Sequence, residues 1–208
     1  TRPVPVEHLH AALSGWFDGD DPGDTPHDAQ TKPYRISPIA ERDDGWGVEL
    51  SVLEDDAESR LAAKVETAGQ IRLGSLFTTV SAPVLLHQTS WHDLAMWNRS
   101  RAWTLRFVTP ATFRTGSRAS PFPTLGALLR APTESWAAFG PAPSPLIPPP
   151  DQRRLWVSEF SIESTPIRIS ERTMRGVRGS LTIRAADDDV ARRADALFRL
   201  TPFCGVGS

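Results

Sequence analysis

Residues 154–165, "RLWVSEFSIEST", and 178–185, "RGSLTIRA", alternate apolar and polar side chains and read as two strands. Residues 187–203, "DDDVARRADALFRLTPF", follow as a helix that opens on acidic residues, which suit its positive end. Working back, "GPAPSPLIPPP", residues 140–150, is a proline-rich crossover and the best linker candidate in the chain. Before it, "PTLGALLRAPTESWAAFG", residues 123–140, reads as a helix interrupted at Pro132, which starts a new turn at best. Residues 103–114, "WTLRFVTPATFR", form a strand that runs into a proline. The second half is therefore strand, helix, strand, strand, helix.

The first half mirrors that order. "EHLHAALSGWFD", residues 7–18, puts Leu9, Ala12, Leu13 and Trp16 on one helical face. "YRISPIAER" and "GWGVELSVLE" read as a hairpin joined through Asp43, Asp44 and Gly45. Residues 57–68, "AESRLAAKVETA", are a second helix, and 71–86, "IRLGSLFTTVSAPVLL", a β-rich extended run whose end Pro83 pushes toward an edge. Helix, strand, strand, helix, strand followed by strand, helix, strand, strand, helix makes two β-α-β-β-α-β units. The expected fold is α+β, two tandem ferredoxin-like (RRM-like) domains, residues 1–98 and 99–208. The opening strand of the first and the closing strand of the second are missing, so the expectation is a chain trimmed or partly ordered at both ends.

With 208 residues and 39% hydrophobic side chains, the chain can bury a core. No stretch approaches the length of a membrane span, and no leader pattern opens the chain, which reads as cytoplasmic. The single cysteine, Cys204, excludes an internal disulfide and a thiolate zinc cluster, and reads as a core thiol. Net charge is −2, so any basic surface is local. Acidic residues crowd 18–28 and 41–58. Arginines dominate 99–118, Arg114 and Arg118 among them, and 153–184, and arginine suits phosphate forks and base stacking.

Five histidines are available for proton transfer. His27 stands in a short proline-bounded polar stretch, "TPHDAQTKPYRISP", and reads either as a loop residue or as a proton carrier. Lys32, one of only two lysines, follows five residues later. His8 and His10 in "HLH" point to different helix faces, which is not metal-ligand spacing. His87 begins the one His-x-Thr element, which 2H phosphoesterases use twice, and a second copy is absent because His92 is followed by Asp93 and Leu94. In "ISERTMRGVRGSL", Arg172, Arg175 and Arg178 crowd a glycine-punctuated hairpin tip, either a basic solvated turn or a phosphate-contacting arm. Gly205 and Gly207 allow backbone amides to approach a phosphate. Of the seven tryptophans, Trp46 and Trp91 are candidates for base stacking.

Three stretches carry a likeness: "LHAALSGWFDGDDP…HDAQTKPYRISPI", "LRFVTPATFR…PFPTLGALLRAPTESW" and "RGVRGSLTIRA…LFRLTPFCGVGS". In that order they resemble the CRISPR repeat-processing endoribonucleases, the Cas-six family of the RAMP superfamily. Thr109–Phe113, "TPATF", departs from the family's "sPT.F" by Ala111, and the glycine-rich loop is cut at Gly205, Val206, Gly207 and Ser208. The resemblance implies tandem ferredoxin-like domains and a metal-independent, cofactor-free endonuclease acting on CRISPR repeat RNA. It implies attack of a 2′-hydroxyl on the neighbouring phosphate, leaving a 2′,3′-cyclic phosphate and a 5′-hydroxyl. By the same correspondence His27 is the general base or acid and Lys32 the phosphate-facing cation, with a gap one residue shorter than usual, and His10 falls near a third position. Partners would be repeat RNA and other effector-complex subunits, with the chain a monomer or homodimer. The alternatives are a non-catalytic RAMP RNA-binding subunit and a 2H-type cyclic phosphodiesterase using His87.

Overall fold

The computed structural model describes residues 6–18, 31–42, 45–115, 118–169 and 172–207. They fall in two compact units, 1–88 and 89–208.

In the first unit, helix α1 (Val6–Ser14) buries Leu9 and Leu13. A turn closed by Phe17 N to Ser14 O (2.9 Å) and Asp18 N to Ser14 O (2.8 Å) carries Phe17 onto the same stripe, four residues on. Strands β1 (Tyr34–Ile36), β2 (Ala40–Arg42), β3 (Gly45–Gly47) and β4 (Leu50–Val52) make one interrupted antiparallel hairpin, β1 against β4 and β2 against β3. Ser37 bridges the interruption: its N–H donates to Glu49 O at 2.9 Å, and its Oγ accepts from Glu49 N at 2.8 Å. Helix α2 (Asp55–Thr67) opens on Asp55, Asp56 and Glu58 and buries Ala57. Leu9, Leu13, Phe17, Ile36, Ala57 and Leu73 form the core.

The extended run expected over 71–86 is instead a tight hairpin, β5 (Gln70–Leu73) and β6 (Leu76–Thr79), followed by a stretch without regular structure. Gly74 causes the reversal. It takes φ +67° at the first turn position, where glycine suits the primed turns that match strand twist. The His8 ring also lies where a Cβ at this position would sit, with Nδ1 2.5 Å away.

The second unit begins with α3 (Trp91–Ala95), whose Ser90 cap accepts from Asp93 N at 3.0 Å. Then come β7 (Ala102–Ala111), β8 (Phe113–Thr115), β9 (Arg118–Ser120), α4 (Leu125–Phe139), α5 (Pro149–Gln152), β10 (Leu155–Ile169), β11 (Arg172–Ala185) and α6 (Asp188–Cys204). The antiparallel sheet has the order β10-β11-β7, so the third long strand lies between the second and the first, as in a split β-α-β fold. Trp103, Leu105, Phe107, Leu181 and Ile183 leave one face of it and are buried with Val190, Ala194, Leu197 and Phe198 of α6 and Leu128 and Trp136 of α4. Trp103 and Phe198 rings lie 5.3 Å apart.

Two expectations are corrected here. The helix predicted to break at Pro132 is continuous over α4, because Pro132 is buried with Leu128, Leu129, Ser135 and Trp136 on one stripe, and that packing outweighs one lost backbone bond. The proline-rich stretch after it is pinned to the unit rather than linking two bodies. Pro141 O accepts from Trp136 Nε1 at 3.0 Å, and Ile147, buried, accepts through its carbonyl from Gln152 Nε2 at 3.1 Å. No described helix is long and apolar enough to cross a membrane.

Candidate functional site

In the first unit the turn after α1 leaves Asp18 facing the start of β1. Its Oδ1 accepts from Lys32 Nζ at 3.0 Å and from the Tyr34 hydroxyl at 2.8 Å. Asp18 is 9% exposed and Lys32 20%, so solvent screens this pair less than a surface pair. The Lys32 ammonium also lies 5.7 Å from the Tyr34 ring centroid, and that ring stacks on Phe17 at 4.2 Å. Burial pushes the Tyr34 phenol well above its usual range, and the Asp18 carboxylate adds to the effect. Asp18 and Lys32 thus tie together the two ends of the segment 19–31.

His27 belongs to that segment and lies outside the described residues. His10 is exposed on α1, and His87 sits in the irregular stretch after β6. Trp91 is edge-on to Trp136 at 5.2 Å, a packing contact, whereas Trp46 at the β2–β3 hairpin is 69% exposed.

In the second unit two motifs quoted separately from the sequence meet. Gly207, at φ +92°, packs against the "TPATF" segment so closely that an added Cβ would lie 2.6 Å from Thr112 O and 3.4 Å from Ala111 Cβ. Gly205, at φ +78°, ends α6 with its N–H donating to Thr201 O at 2.8 Å. Cys204 is half-buried at the last helical position, its Sγ 3.4 Å from Gly205 O. The same end of β7 meets Gly176 of β11, where a Cβ would lie 3.1 Å from Ala111 O. Gly207 and Gly176 take glycine because a backbone carbonyl passes at contact distance, and Gly205 takes it for its positive φ.

The structure moves the arginines relative to expectation. Strands β10 and β11 are longer than the sequence pattern indicates, so only Arg172 stands at the end of the hairpin, paired in register with Ile169. Arg175 and Arg178 lie along β11, opposite Pro166 and Glu163, with exposed side chains. Arg114 on β8 and Arg118 on β9 flank a second hairpin, both exposed. Among the described residues Arg114, Arg118, Arg175 and Arg178 make no ion pair.

Sequence reasoning missed Asp18, which looked like one member of an acidic run, and left Tyr34 without a role. It also missed Asp195, fully buried on α6, which accepts from Trp103 Nε1 at 2.8 Å and from Asn98 N at 3.2 Å. An acid four residues after Ala191 and three before Phe198, on an apolar stripe, was the available signal.

Residues 105–208 match the model of the family described as CRISPR-associated endoribonuclease Cas6. No curated protein matches. Among solved structures, a Cas6 product complex is 24% identical with a TM-score of 0.81, covering 99% of this chain and 88% of that one. A Cas6 substrate mimic complex is 22% identical with a TM-score of 0.71, covering 85% and 80%. Thermus thermophilus Cas6 is 23% identical with a TM-score of 0.64, covering 88% and 76%. These likenesses extend the fold over both units as tandem ferredoxin-like domains, and with the family match over the second unit the chain belongs to the CRISPR-associated endoribonuclease Cas6 family, whose members cut CRISPR precursor RNA.

Proposed function

We propose that this chain cuts CRISPR repeat RNA in the precursor transcript without a metal, by attack of a ribose 2′-hydroxyl on the adjacent phosphorus. The bond from phosphorus to the 5′-oxygen breaks, leaving a 2′,3′-cyclic phosphate on one fragment and a 5′-hydroxyl on the other. His27 acts as the base for the nucleophile or the acid for the leaving oxygen, a role worth typically 10² to 10⁴ in rate. Lys32 supplies positive charge to the crowded phosphorane. His10 is a third candidate near this chemistry.

The observation that carries the site assignment is the Asp18–Lys32 contact at 3.0 Å, which closes the segment holding His27. One N–H of the Lys32 ammonium donates to Asp18 Oδ1, so the carboxylate fixes where that cation stands. The Tyr34 hydroxyl donates to the same Asp18 oxygen and helps to fix it. For the RNA, Arg172, Arg175, Arg178, Arg114 and Arg118 are proposed phosphate contacts, and Gly207 offers a backbone N–H group, whereas Gly205, whose N–H is held by Thr201 O, offers only a side-chain-free close approach.

The test is His27→Ala on cognate repeat RNA in chelator. Cleavage should fall by at least about a hundredfold while RNA binding persists. A variant that cuts at the wild-type rate overturns the assignment of His27. Tight repeat binding with no product in the wild type would point to a non-catalytic RNA-binding subunit. Activity lost with His87→Ala on a small cyclic phosphate would point to a 2H enzyme.

A further inference from the structure

The helices cover one face of the second unit's sheet, and the other face is open. Along β7, Trp103, Leu105 and Phe107 are buried, whereas Thr104, Arg106 and Val108 point the opposite way and are exposed, Val108 at 69%. The register extends that outward face across the sheet. Thr104 is paired with Thr182 on β11, with hydroxyls 3.1 Å apart; Arg106 is opposite Ser180, and Trp156 on β10 is opposite Arg184. Trp156 is 45% exposed beside Arg184, whose Nε donates to Ser158 Oγ at 3.3 Å. Ser158 lies at the β10 bulge, and Glu159, an acid, stands next to it at the edge strand.

Arg106 and Arg184 make no ion pair with a carboxylate among the described residues. Their register positions are two rows apart on neighbouring strands, which places their Cα atoms about 14 Å apart. Between them lie the Thr104 and Thr182 hydroxyls. Uncompensated guanidiniums bracketing hydroxyls, with an indole at the edge, suit a chain of phosphates and unstacked bases. A flat sheet face with an exposed aromatic holds two or three bases in single-strand readers.

We propose that this open face, formed by Trp156, Arg184, Thr182, Thr104 and Arg106, binds single-stranded RNA adjoining the cleaved segment. The inference rests on the repeat-RNA reading above and adds a second contact surface to it. Trp156 stacks on a base, and Arg106 and Arg184 pair with phosphates on either side.

The experiment uses the full chain and a fluorescein-labelled oligouridylate of about eight nucleotides, read by anisotropy across a salt series. Trp156→Ala should weaken binding about tenfold and Trp156→Phe should restore most of it. The double variant Arg106→Ala, Arg184→Ala should lower the salt slope by about 1.4, two phosphates at roughly 0.7 each. Thermal melts establish that the variants are folded, and a variant that fails to fold is replaced by Arg106→Gln alone, read by the same slope. Wild-type cleavage of the repeat transcript, with the oligouridylate held equally by wild type and all variants, overturns the platform and leaves the cleavage reading standing. A wild type that holds the oligouridylate on this face but neither binds nor cuts the repeat transcript overturns the cleavage reading instead.

Discussion

Two groups of arginines in the second unit share a residue type and differ in what surrounds them. Around the start of α6, Arg101 Nε donates to Asp188 at 2.6 Å, Arg154 Nε to Asp187 at 2.8 Å, and Arg193 Nη2 to both Asp151 at 2.9 Å and Asp189 at 2.6 Å. Arg199, farther along the helix, donates to the Asp93 and Met96 carbonyls at 2.9 Å and lies 3.9 Å from Asp195. On the strands, Arg106, Arg114, Arg118, Arg175 and Arg178 have no carboxylate partner among the described residues. The first group holds elements together. The second leaves its charge available to a polyanion, although the chain as a whole is slightly acidic.

The strongest way to break the paired side of this comparison is Asp195→Ala. It removes the acceptor for the Trp103 indole and for Asn98 N, and leaves Arg199 without its buried counter-charge. We expect a loss of about 3 kcal/mol, seen as a fall in Tm of about 9 °C by calorimetry. An unchanged Tm would mean that this carboxylate is not a structural tie.

Next in size is an exchange of readouts between the groups. Arg175→Ala and Arg178→Ala should each reduce the salt slope of repeat-RNA binding by about one unit, with little change in Tm. Arg101→Ala should do the reverse, leaving the slope alone and costing about 0.5 kcal/mol, because an exposed ion pair contributes little. If Arg101→Ala changes the slope as much as Arg178→Ala, pairing does not separate the groups.

Tyr34 sharpens the comparison in the first unit, where Lys32 is a paired cation at a proposed active site. It is the only tyrosine, so phenolate absorbance in the near-ultraviolet reports it alone. Its folded pKa is raised, chiefly by burial and then by Asp18. The stabilising contribution is therefore full below about pH 10 and is lost as pH rises toward the folded value. Phenolate should appear only well above pH 10 in the folded protein, and Asp18→Asn should bring it lower. Titration at the ordinary position would remove the Asp18–Tyr34 contact from the account.

The smallest effect concerns Asp187, held below the usual carboxylate range by the Arg154 hydrogen bond first and by the Val190 backbone N–H next. A depressed carboxylate stabilises above its unfolded pKa, near 3.9, and that contribution disappears as pH falls through the folded value. Melting curves below pH 4 should therefore flatten slightly in Asp187→Asn relative to wild type.

Much of the second unit was legible because its strands alternate and its last helix starts on acids. Residues 166–169 and 172–177 were not, since Pro166, Gly176 and the charges among them give no period, yet the strand partner opposite carries them into the ladder. Pro132 misled because propensity prices a proline locally, whereas its ring is buried against the core. Lys32 stood out by rarity; Asp18 did not, because only the fold selects one carboxylate from an acidic run. The contact of Gly207 with Thr112 joins residues far apart in the chain, which no local pattern encodes.

The central claim is cleavage by the RNA's own 2′-hydroxyl, and end-group analysis of the repeat fragments tests it most directly. With wild-type protein in chelator, the account predicts a 2′,3′-cyclic phosphate on the upstream fragment and a 5′-hydroxyl on the downstream one. A 3′-hydroxyl with a 5′-phosphate would contradict it.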